Sequence, residues 1–388
     1  MRRAHPGEVG PLTGDPGVGG SVDPAFAAVE SAFRDNFADG TEIGAGLCVH
    51  VHGRTVVDLW GGSARADGTP WGPDTMVNSF SVGKGILGVV TAMCVDRGLV
   101  GWDDPVADHW PEFDVHDKGS VTLTDLLGHR AGLPGVRRLL ADGTMLEWGT
   151  MCAHLAAERP WWPPGSQHGY HVNTFGFLVG EVLRRATTRS VGTLLRDLVA
   201  VPLGADVHYG LETSLHHRVA DLVWHTAPAR SAPDSGAGDA EILQHRAYAN
   251  PPGFSGVGWV NGPLWRGAEM PSTNMHASAR GIARVFAGLC SDELASPSVL
   301  DEATQEISDG TDAVLGRRTR FGRGFQLPLP ERRFGPNDEA FGHYGAGGAL
   351  GFCDPVAGVA FGYTMNQMGT GWQNERNTAL VTALYSCL

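Results

Sequence analysis

Apolar residues follow a strand-like spacing at both ends of the chain and a helix-like spacing through its middle. Residues 23–36 place apolar side chains three or four positions apart, which predicts a first helix. Residues 44–60 alternate and are rich in valine, so they predict a β-hairpin that turns near Gly53. The most apolar helix-like run follows at residues 79–97 and predicts a second helix.

The middle of the chain is mostly helical, and strand patterns return only near its end. Between residues 100 and 220, helical spacing interrupted by Pro and Gly turns predicts helices at 123–127, 145–157, 176–185 and 191–199. Later helices are predicted at 277–289 and 375–384, and strands at 347–352 and 357–365. Residues 1–22 and 226–240 lack periodicity and predict a flexible arm and a solvated loop.

Strands at both ends with helices between them predict an α/β fold of the α+β kind. The simplest assembly is one sheet built from both ends of the chain, with a helical lobe inserted. Residues 23–388 then form one domain, with an α/β lobe from about 23–80 and 265–388 and a helical lobe from about 81–264. An active site is expected at the seam between the two lobes.

Composition and charge exclude several classes of protein. The chain has 388 residues, of which 42% are hydrophobic, enough for a sizeable core. The formal net charge is −13 and no basic stripe with aromatic residues occurs, so we expect no nucleic-acid partner. The longest apolar run, residues 86–95, is too short to cross a bilayer, and no secretory signal follows Met1. We therefore expect a cytoplasmic protein without a membrane partner.

The six cysteines and the paired histidines do not predict a metal site. The cysteines, at positions 48, 94, 152, 290, 353 and 387, are far apart and form no C-x-x-C pair, so reduced thiols are expected. His50 and His52 share one face of a predicted strand, but no third ligand is near, and a solvent-facing strand explains them better. His216 and His217 are interpreted in the same way. No cofactor or metal is predicted.

The position of one lysine is the strongest chemical signal. Of the 29 lysines and arginines, only Lys84 and Lys118 are lysines, and Lys84 stands in the most apolar helix. Arginine does not lose its proton in a protein, whereas a desolvated lysine can. Ser81 is three residues earlier, on the same helix face, so Lys84 could act as its base. The alternative is a surface lysine whose stem covers apolar residues.

Two further segments could complete a site. Tyr170 lies in a loop that leads into the predicted helix at 176–185, where it could relay a proton beside the lysine. Residues 341–352 are dense in glycine, and a bare strand edge of this kind can offer backbone N–H groups to an oxyanion. Each segment alone is equally explained by packing or by a tight turn. Neither G-x-G-x-x-G nor a P-loop is present, so no nucleotide site is proposed.

Together these segments resemble the serine β-lactamase and penicillin-binding-protein superfamily, specifically its class C-like branch with the family VIII carboxylesterases. The resemblance extends over about residues 23–388. Further segments that carry it are residues 101–113 (GWDDPVADHWPEF), 126–134 (LLGHRAGLP), 354–355 (DP) and 363–368 (YTMNQM). It implies a β-lactamase/transpeptidase-like fold, with an antiparallel sheet flanked by helices.

The resemblance also implies roles for single residues. Ser81 would be the acylated nucleophile, and Lys84 would be its base. Tyr170 would shuttle protons between the nucleophile and the leaving group. Residues 343–345, His343-Tyr344-Gly345, stand where relatives have Lys-Thr-Gly. The backbone N–H groups of Ser81 and Ala346 would hold the oxyanion.

Two departures from the family's pattern bear on the substrate. The family's Tyr-x-Asn would place Asn at position 172, but Val172 stands there and Asn173 comes one residue late, which turns its amide by about a quarter turn on a helix. His343 replaces a permanent cation by a group that is largely neutral above about pH 6.5. Both changes argue against efficient β-lactam hydrolysis and favour an uncharged ester or amide.

Other residues admit two interpretations. Trp161 and Trp162, with Tyr344, could line an apolar acyl pocket or belong to the core. His129 lies within a segment that carries the resemblance, and a structural role is the better interpretation for it. No G-x-S-x-G motif occurs, so the sequence does not predict an α/β-hydrolase.

Three functions are compatible with these residues. The first is hydrolysis of small carboxylic esters through an acyl-enzyme on Ser81. The second is acyl transfer, in which an amine or alcohol captures the same acyl group; the sequence does not separate it from the first. The third is a non-catalytic binding protein, against which the complete set of Ser81, Lys84 and Tyr170 argues. The oligomeric state is not predicted.

Overall fold

The computed structural model describes residues 17–224, 236–291 and 293–388. Its strands are β1 Gly19–Val22, β2 Gly44–Val51, β3 Arg54–Gly62, β4 Val77–Asn78, β5 Val207–His208, β6 His276–Ala277, β7 Ser308–Thr311, β8 Arg318–Phe321, β9 Phe341–Tyr344, β10 Leu350–Asp354 and β11 Val359–Met365.

Most helices lie in the middle of the chain, with α2 to α8 between β4 and β5. They are α1 Ala27–Ala38, α2 Val82–Asp96, α3 Val106–His109, α4 Leu123–Leu127, α5 Trp148–Ala157, α6 Phe175–Thr187, α7 Val191–Leu195, α8 Val201–Leu203, α9 Asp239–Ala249, α10 Pro263–Gly267, α11 Ala279–Cys290, α12 Pro297–Thr304 and α13 Glu375–Tyr385. Short 3₁₀ turns occur at Pro24–Phe26, Pro111–Phe113, Thr144–Leu146, Thr213–Arg218 and Ala346–Gly348, and a π-helical turn at Arg196–Ala200.

The main sheet has six strands in the order β1-β3-β2-β11-β10-β9, and every neighbouring pair is antiparallel. Strands from the start of the chain therefore pair with strands from its end, through β2 and β11. The predicted hairpin is confirmed, since β2 and β3 are joined by a turn with Gly53 at a φ of 76°. The predicted fold class, one antiparallel sheet with flanking helices, is confirmed.

Helices cover both faces of this sheet. On one face, α11 packs against β11, β2 and β10, where small residues such as Cys48 and Gly362 let its backbone approach closely. On the other face, Tyr363 of β11 donates a hydrogen bond to Glu42, which also pairs with Arg376 of α13. Helix α13 packs in turn against α1. The alternation along the strands therefore supplies two separate packing surfaces.

Helix α2 lies at the centre of the molecule and packs against β9, α6 and α12. From Val82 to Cys94, all its residues are buried. A helix that is apolar all round is expected to be enclosed on all sides, which explains why this segment has the strongest hydrophobic signal in the sequence. Its first turn therefore places any polar side chain in the interior.

The structure differs from the sequence-based expectations in several segments. Gly19–Val22, expected to be part of the flexible arm, forms strand β1 against β3. Helix α9 begins at Asp239, inside the expected loop at 226–240. Residues 226–235 of that loop lie outside the described residues, as do 1–16 of the arm. The expected strand at 347–352 begins only at Leu350, because residues 346–348 form a turn. Propensity is a weak guide where tertiary pairing decides.

The expectation of six reduced cysteines is wrong for two of them. Cys290, at the end of α11, forms a disulfide with Cys353 of β10. No local pattern indicates this bond, because the two residues are 63 positions apart and meet only when α11 packs on the sheet. Cys48, Cys94, Cys152 and Cys387 are free thiols.

Within the described parts of the chain, no helix combines the length and the apolar character needed to cross a membrane.

Candidate active site

Ser81 stands at the amino-terminal end of α2, directly after a strained residue. Phe80 has a φ of 46°, which is unfavourable for a bulky side chain. Its ring packs edge-on against Trp224 with centroids 6.3 Å apart. The turn between β4 and α2 thereby presents Ser81 at the wall of a cavity, with its side chain 6% exposed.

Lys84 is completely buried and touches the serine. Its Nζ lies 3.0 Å from Ser81 Oγ, 2.7 Å from the carbonyl oxygen of Val172 and 2.9 Å from that of Ser272. Gly83 permits this arrangement, because a Cβ at that position would lie 2.5 Å from the carbonyl oxygen of Pro271. Helix α2 and the segment that supplies the Ser272 carbonyl can therefore approach each other only through a glycine.

The environment of Lys84 favours the neutral amine. Burial lowers its pKa well below the ordinary value of 10.5, and no carboxylate among the described residues forms an ion pair with it. A neutral amine has two hydrogens and one lone pair. Since the carbonyls of Val172 and Ser272 can only accept, the two hydrogens point to them, and the lone pair is left for the Ser81 hydroxyl. This geometry suits proton transfer from Ser81 to Lys84.

Tyr170 is the third polar group at this point. Its ring centroid lies 4.7 Å from Lys84 Nζ. Burial raises the pKa of Tyr170 well above 10, although the nearby Ser81 hydroxyl opposes this shift. The tyrosine hydroxyl is buried and lacks a partner with hydrogen-bonding geometry among the described residues. A neutral phenol with an uncommitted hydroxyl is available to both donate and accept a proton.

A buried carboxylate that the sequence did not single out holds Tyr170 in place. Both oxygens of Asp312 accept a hydrogen bond from the Tyr170 backbone N–H at 3.0 Å. Asp312 also accepts from the backbone of Val314 and Leu315 and from the Thr319 hydroxyl. Tyr170 and Asp312 are 142 positions apart, so no local pattern could have revealed this contact.

The glycine-dense turn after β9 lies beside the serine. A Cβ at Gly345 would be 2.4 Å from the carbonyl oxygen of Ser79, so the turn and the residues before Ser81 are in direct contact. The backbone N–H groups of Ser81 and Ala346 have no acceptor among the described residues. Both residues line the same cavity. Two free N–H groups at a nucleophile are the arrangement that an oxyanion hole requires.

The carbonyls of this turn are held from behind by the start of α13. Arg376 donates to the Gly347 carbonyl oxygen at 2.6 Å, and Asn377 donates to that of Gly348 at 2.9 Å. The Ala346 N–H shares its peptide group with the Gly345 carbonyl, which in turn accepts a hydrogen bond from the Gly348 N–H at 3.3 Å, so the turn is restrained on this side as well.

The cavity has a volume of about 670 Å³. No Asp, Glu, Lys or Arg of the described residues lines it. Its apolar wall is formed by Phe80, Leu139, Leu140, Val172, Trp224, Tyr248, Pro252, Val257 and Trp372. Such a lining favours an uncharged, mostly apolar group next to Ser81. A second cavity of about 700 Å³ lies at Gly40 and Met368 and does not include Ser81.

Comparison with known proteins agrees with this geometry. A family model described as Beta-lactamase matches residues 29–385. The chain belongs to the β-lactamase family. The esterase/β-lactamase LipL of Mycobacterium tuberculosis is 32% identical over 362 residues, which cover 90% of this chain and 83% of LipL.

Solved structures extend the likeness to the whole fold. A crystal structure of a family VIII carboxylesterase is 38% identical, with a TM-score of 0.87, over 96% of this chain and 100% of that one. A penicillin-binding-protein homologue from Caulobacter crescentus is 37% identical, with a TM-score of 0.86, over the same shares of the two chains. The resemblance noted in the sequence is therefore confirmed, and the protein is an enzyme of the serine β-lactamase-like superfamily.

His343, which the sequence resemblance places at the position of the lysine in Lys-Thr-Gly, carries no charge. Its Nδ1 lies 2.7 Å from the Tyr344 carbonyl oxygen, which can only accept, so the proton is on Nδ1. Burial and the nearby Lys84 lower the pKa of His343 to about 3. The ring does not line the cavity. The neutrality expected for His343 above pH 6.5 thus extends to much lower pH, and no cation here can grip a carboxylate.

Asn173, displaced by one position from the family's Tyr-x-Asn, nevertheless lines the cavity. Its Nδ2 donates to the Ala247 carbonyl oxygen at 2.8 Å and to Ser255 Oγ at 3.1 Å. Its Oδ1 is buried and has no partner among the described residues. The displaced amide is thus anchored to α9 by its nitrogen, and its role in substrate binding stays a prediction.

Several aromatic candidates lie away from the cavity. The Tyr344 hydroxyl donates to the Arg333 carbonyl oxygen at 2.8 Å, and its ring stacks on Phe334. Trp162 is buried in a cluster with Tyr170, and Trp161 donates to a backbone carbonyl. Neither tryptophan nor Tyr344 lines the cavity, which speaks against the acyl-pocket interpretation. Trp162 and Tyr344 are buried in the core, whereas Trp161 is half-buried and packs against it.

The histidines considered as candidate site residues are explained by packing and turns. The His129 ring is buried against Tyr170 and Phe321, and burial lowers its pKa well below 6.5. His52 lies in the turn after β2, so it does not share a strand face with His50, as the sequence had suggested. Within the described residues, no group of three or more His, Cys, Asp or Glu side chains could hold a metal ion.

Proposed function

We propose that this protein is a serine carboxylesterase that hydrolyses carboxylic esters, with uncharged groups next to the scissile bond, through an acyl-enzyme on Ser81. The observation that carries the proposal is the fully buried Lys84 amine, which has no carboxylate partner among the described residues and lies 3.0 Å from Ser81 Oγ. Since the carbonyls of Val172 and Ser272 take its hydrogens, its lone pair is free to take the serine's proton.

Acylation proceeds by addition and elimination. Ser81 Oγ attacks the ester carbonyl carbon as its proton passes to Lys84 Nζ. The carbonyl oxygen becomes an oxyanion and is held by the N–H groups of Ser81 and Ala346. The carbon–oxygen bond to the alcohol then breaks, and the alcohol leaves with the proton, which reaches it from Lys84 through the Tyr170 hydroxyl. The products are the free alcohol and an acyl group on Ser81.

Deacylation uses the same groups in reverse. A water molecule gives a proton to the Tyr170–Lys84 pair and attacks the acyl carbon, and the oxyanion forms again between the two N–H groups. The bond to Ser81 Oγ breaks, and Ser81 regains a proton from Lys84. The carboxylic acid is released, so one ester and one water become one acid and one alcohol.

Two observations support an ester over a β-lactam substrate. The position of the family's Lys-Thr-Gly lysine is held by His343, whose pKa of about 3 keeps it neutral. The cavity lining contains no charged side chain among the described residues. The name of a similar structure, a family VIII carboxylesterase, agrees with this choice, whereas that of a similar protein, an esterase/β-lactamase, includes both activities.

Intact-protein mass spectrometry with para-nitrophenyl octanoate tests the proposal. The wild-type protein should release nitrophenol and carry one octanoyl group during turnover, whereas Ser81→Ala should neither gain mass nor turn over. Turnover by Ser81→Ala, or octanoyl mapped to another residue, would overturn the proposal. Adding methanol as an acceptor measures acyl transfer: an excess of methyl octanoate over octanoic acid at a methanol concentration far below that of water would identify a transferase.

A further inference from the structure

Two arginines without carboxylate partners lie on one tryptophan at the edge of the cavity. Trp372 lines the cavity, and its ring is 5.0 Å from the ring of Tyr170. The guanidinium carbon of Arg317 lies 4.6 Å from the Trp372 ring centroid, and that of Arg332 lies 5.5 Å from it. These contacts connect a pair of cations to the proposed catalytic tyrosine through a single side chain.

The arginines around this pair are neutralised, which makes the pair unusual in its own segment. Arg318 pairs with Asp309 at 2.6 Å and Arg320 pairs with Glu306 at 2.7 Å, while Arg333 pairs with Asp338. Neither Arg317 nor Arg332 forms an ion pair among the described residues. Within the described parts of the chain, the Arg332 guanidinium donates one hydrogen bond, to the Arg318 carbonyl oxygen at 3.4 Å.

The pair is also electrostatically unfavourable without an anion. Burial and the neighbouring Arg317 both lower the pKa of Arg332, and Glu331 only partly offsets this shift. The Arg317 charge also acts at the active site: burial raises the pKa of Tyr170, and Arg317 slightly opposes this rise. Two guanidinium groups that repel each other and form no ion pair among the described residues provide hydrogen-bond donors of the kind that bind a carboxylate.

We propose that Arg317, Trp372 and Arg332 form an anion-binding subsite at the mouth of the cavity, which selects esters that carry a carboxylate several bonds from the scissile carbonyl. This inference rests on the proposed esterase function and refines its substrate class. The uncharged lining beside Ser81 accommodates the apolar chain next to the ester, and the carboxylate extends past Trp372 to the two arginines. The position of the cation thus differs from that of the lysine that His343 replaces.

Two esters of equal chain length test the subsite: para-nitrophenyl octanoate and the para-nitrophenyl monoester of suberic acid, which has the same eight carbons and a terminal carboxylate. Wild-type enzyme should have the lower KM for the suberate ester. The double variant Arg317→Gln/Arg332→Gln should raise that KM on the order of tenfold, the loss of a charge-assisted hydrogen bond, and leave the octanoate KM within about twofold.

Arg318→Gln is the matched control, because it removes one charge from the neighbouring position without touching Trp372. It should leave both KM values unchanged. Raising the NaCl concentration from about 0.05 M to about 0.5 M should weaken only the preference for suberate in the wild type. Equal effects of the double variant on both esters, or no preference for suberate in the wild type, would overturn the subsite while octanoate turnover still supports the esterase. Absence of turnover and of Ser81 acylation with both esters would instead refute the proposed function itself.

Discussion

The two lysines of this chain lie in similar surroundings. Both side chains are fully buried. Lys84 donates to two backbone carbonyls at the active site, and Lys118 donates to the Ala156 and Glu158 carbonyls at 2.8 and 2.7 Å. The Nζ atom of each lysine also lies over an aromatic ring. Lys84 Nζ is 4.7 Å from the Tyr170 ring centroid, and Lys118 Nζ is 5.0 Å from that of Phe113.

The two lysines differ in whether the amine has a hydrogen-bond partner besides its two backbone carbonyls. Lys84 meets the Ser81 hydroxyl, whereas Lys118 has no further hydrogen-bond partner among the described residues. Burial lowers both pKa values, well below 10.5 for Lys84 and to about 8 for Lys118, where Glu158 opposes the shift. Burial and two carbonyls are therefore not enough to make a catalytic base. The base also needs a neighbour that can give up a proton.

The comparison predicts opposite outcomes for the same substitution at the two lysines. Lys84→Arg keeps a cation but removes the lone pair, so kcat/KM for a para-nitrophenyl ester should fall roughly 10⁴-fold. Lys118→Arg should leave kcat/KM of the folded enzyme within about threefold, since no catalytic step involves it. Steady-state assays with circular dichroism to confirm folding measure both. An active Lys84→Arg enzyme would show that Lys84, like Lys118, does not act as a base.

We expect the next largest loss of activity from replacing Tyr170. Tyr170→Phe removes the hydroxyl that relays the proton and should lower kcat on the order of 10²–10⁴-fold. Tyr344→Phe is the matched control, because that hydroxyl donates only to the Arg333 carbonyl oxygen, and its kcat should stay near the wild-type value. If both variants kept full activity, Tyr170 would be a packing residue and the active-site lysine would act without a relay.

The dependence of activity on pH sharpens the assignment of the base. Because the pKa of Lys84 lies well below 10.5, its neutral form should predominate before most lysines deprotonate. The value of kcat/KM should rise with pH through that pKa and then level off, since the base acts without its proton. A pH–rate profile for a neutral ester measures this limb. A profile that stays flat until pH 10 and rises only above it would contradict the lowered pKa.

We expect the smallest effect from replacing Lys118, which should change the stability of the fold and not the activity. Between its folded pKa of about 8 and its ordinary value of 10.5, the unfolded chain binds the extra proton, so the wild-type fold should gain stability as pH rises. Lys118→Met lacks this gain and leaves two buried carbonyls unpaired, at a cost of roughly 1–3 kcal/mol. Urea unfolding between pH 8 and pH 10.5 tests it: the wild type should gain relative to the variant. A constant difference would mean that Lys118 titrates normally.

The sequence could predict the part of the site that depends on local spacing. Ser81 and Lys84 are one helical turn apart in the most apolar helix, and the β2–β3 hairpin follows from strict alternation. The contacts that define the lysine's state come from backbone carbonyls, at Val172 and Ser272, which carry no signature in the side-chain pattern. Asp312 was missed because it is far from Tyr170 in the sequence and contacts it only once the chain has folded.

Two other differences have the same physical origin. Trp161 and Trp162 are equally compatible with a pocket and a core from their sequence alone, and only the packing around Tyr170 decides between them. Cys290 and Cys353 lie on different elements, α11 and β10, which no sequence spacing relates. Long-range partners are thus the part of this structure that a single sequence conceals.

Gly83 sets a limit on how this enzyme could be altered in the laboratory. Any other residue there would place a Cβ too close to the Pro271 carbonyl oxygen. It would displace the backbone at Pro271 and Ser272, whose carbonyl accepts a hydrogen bond from Lys84. In a library selected for new substrates, position 83 should therefore tolerate no replacement, while Leu139, Tyr248 and Val257 on the cavity wall should vary freely. Diversification of this scaffold would have to come from the wall and leave the first turn of α2 intact.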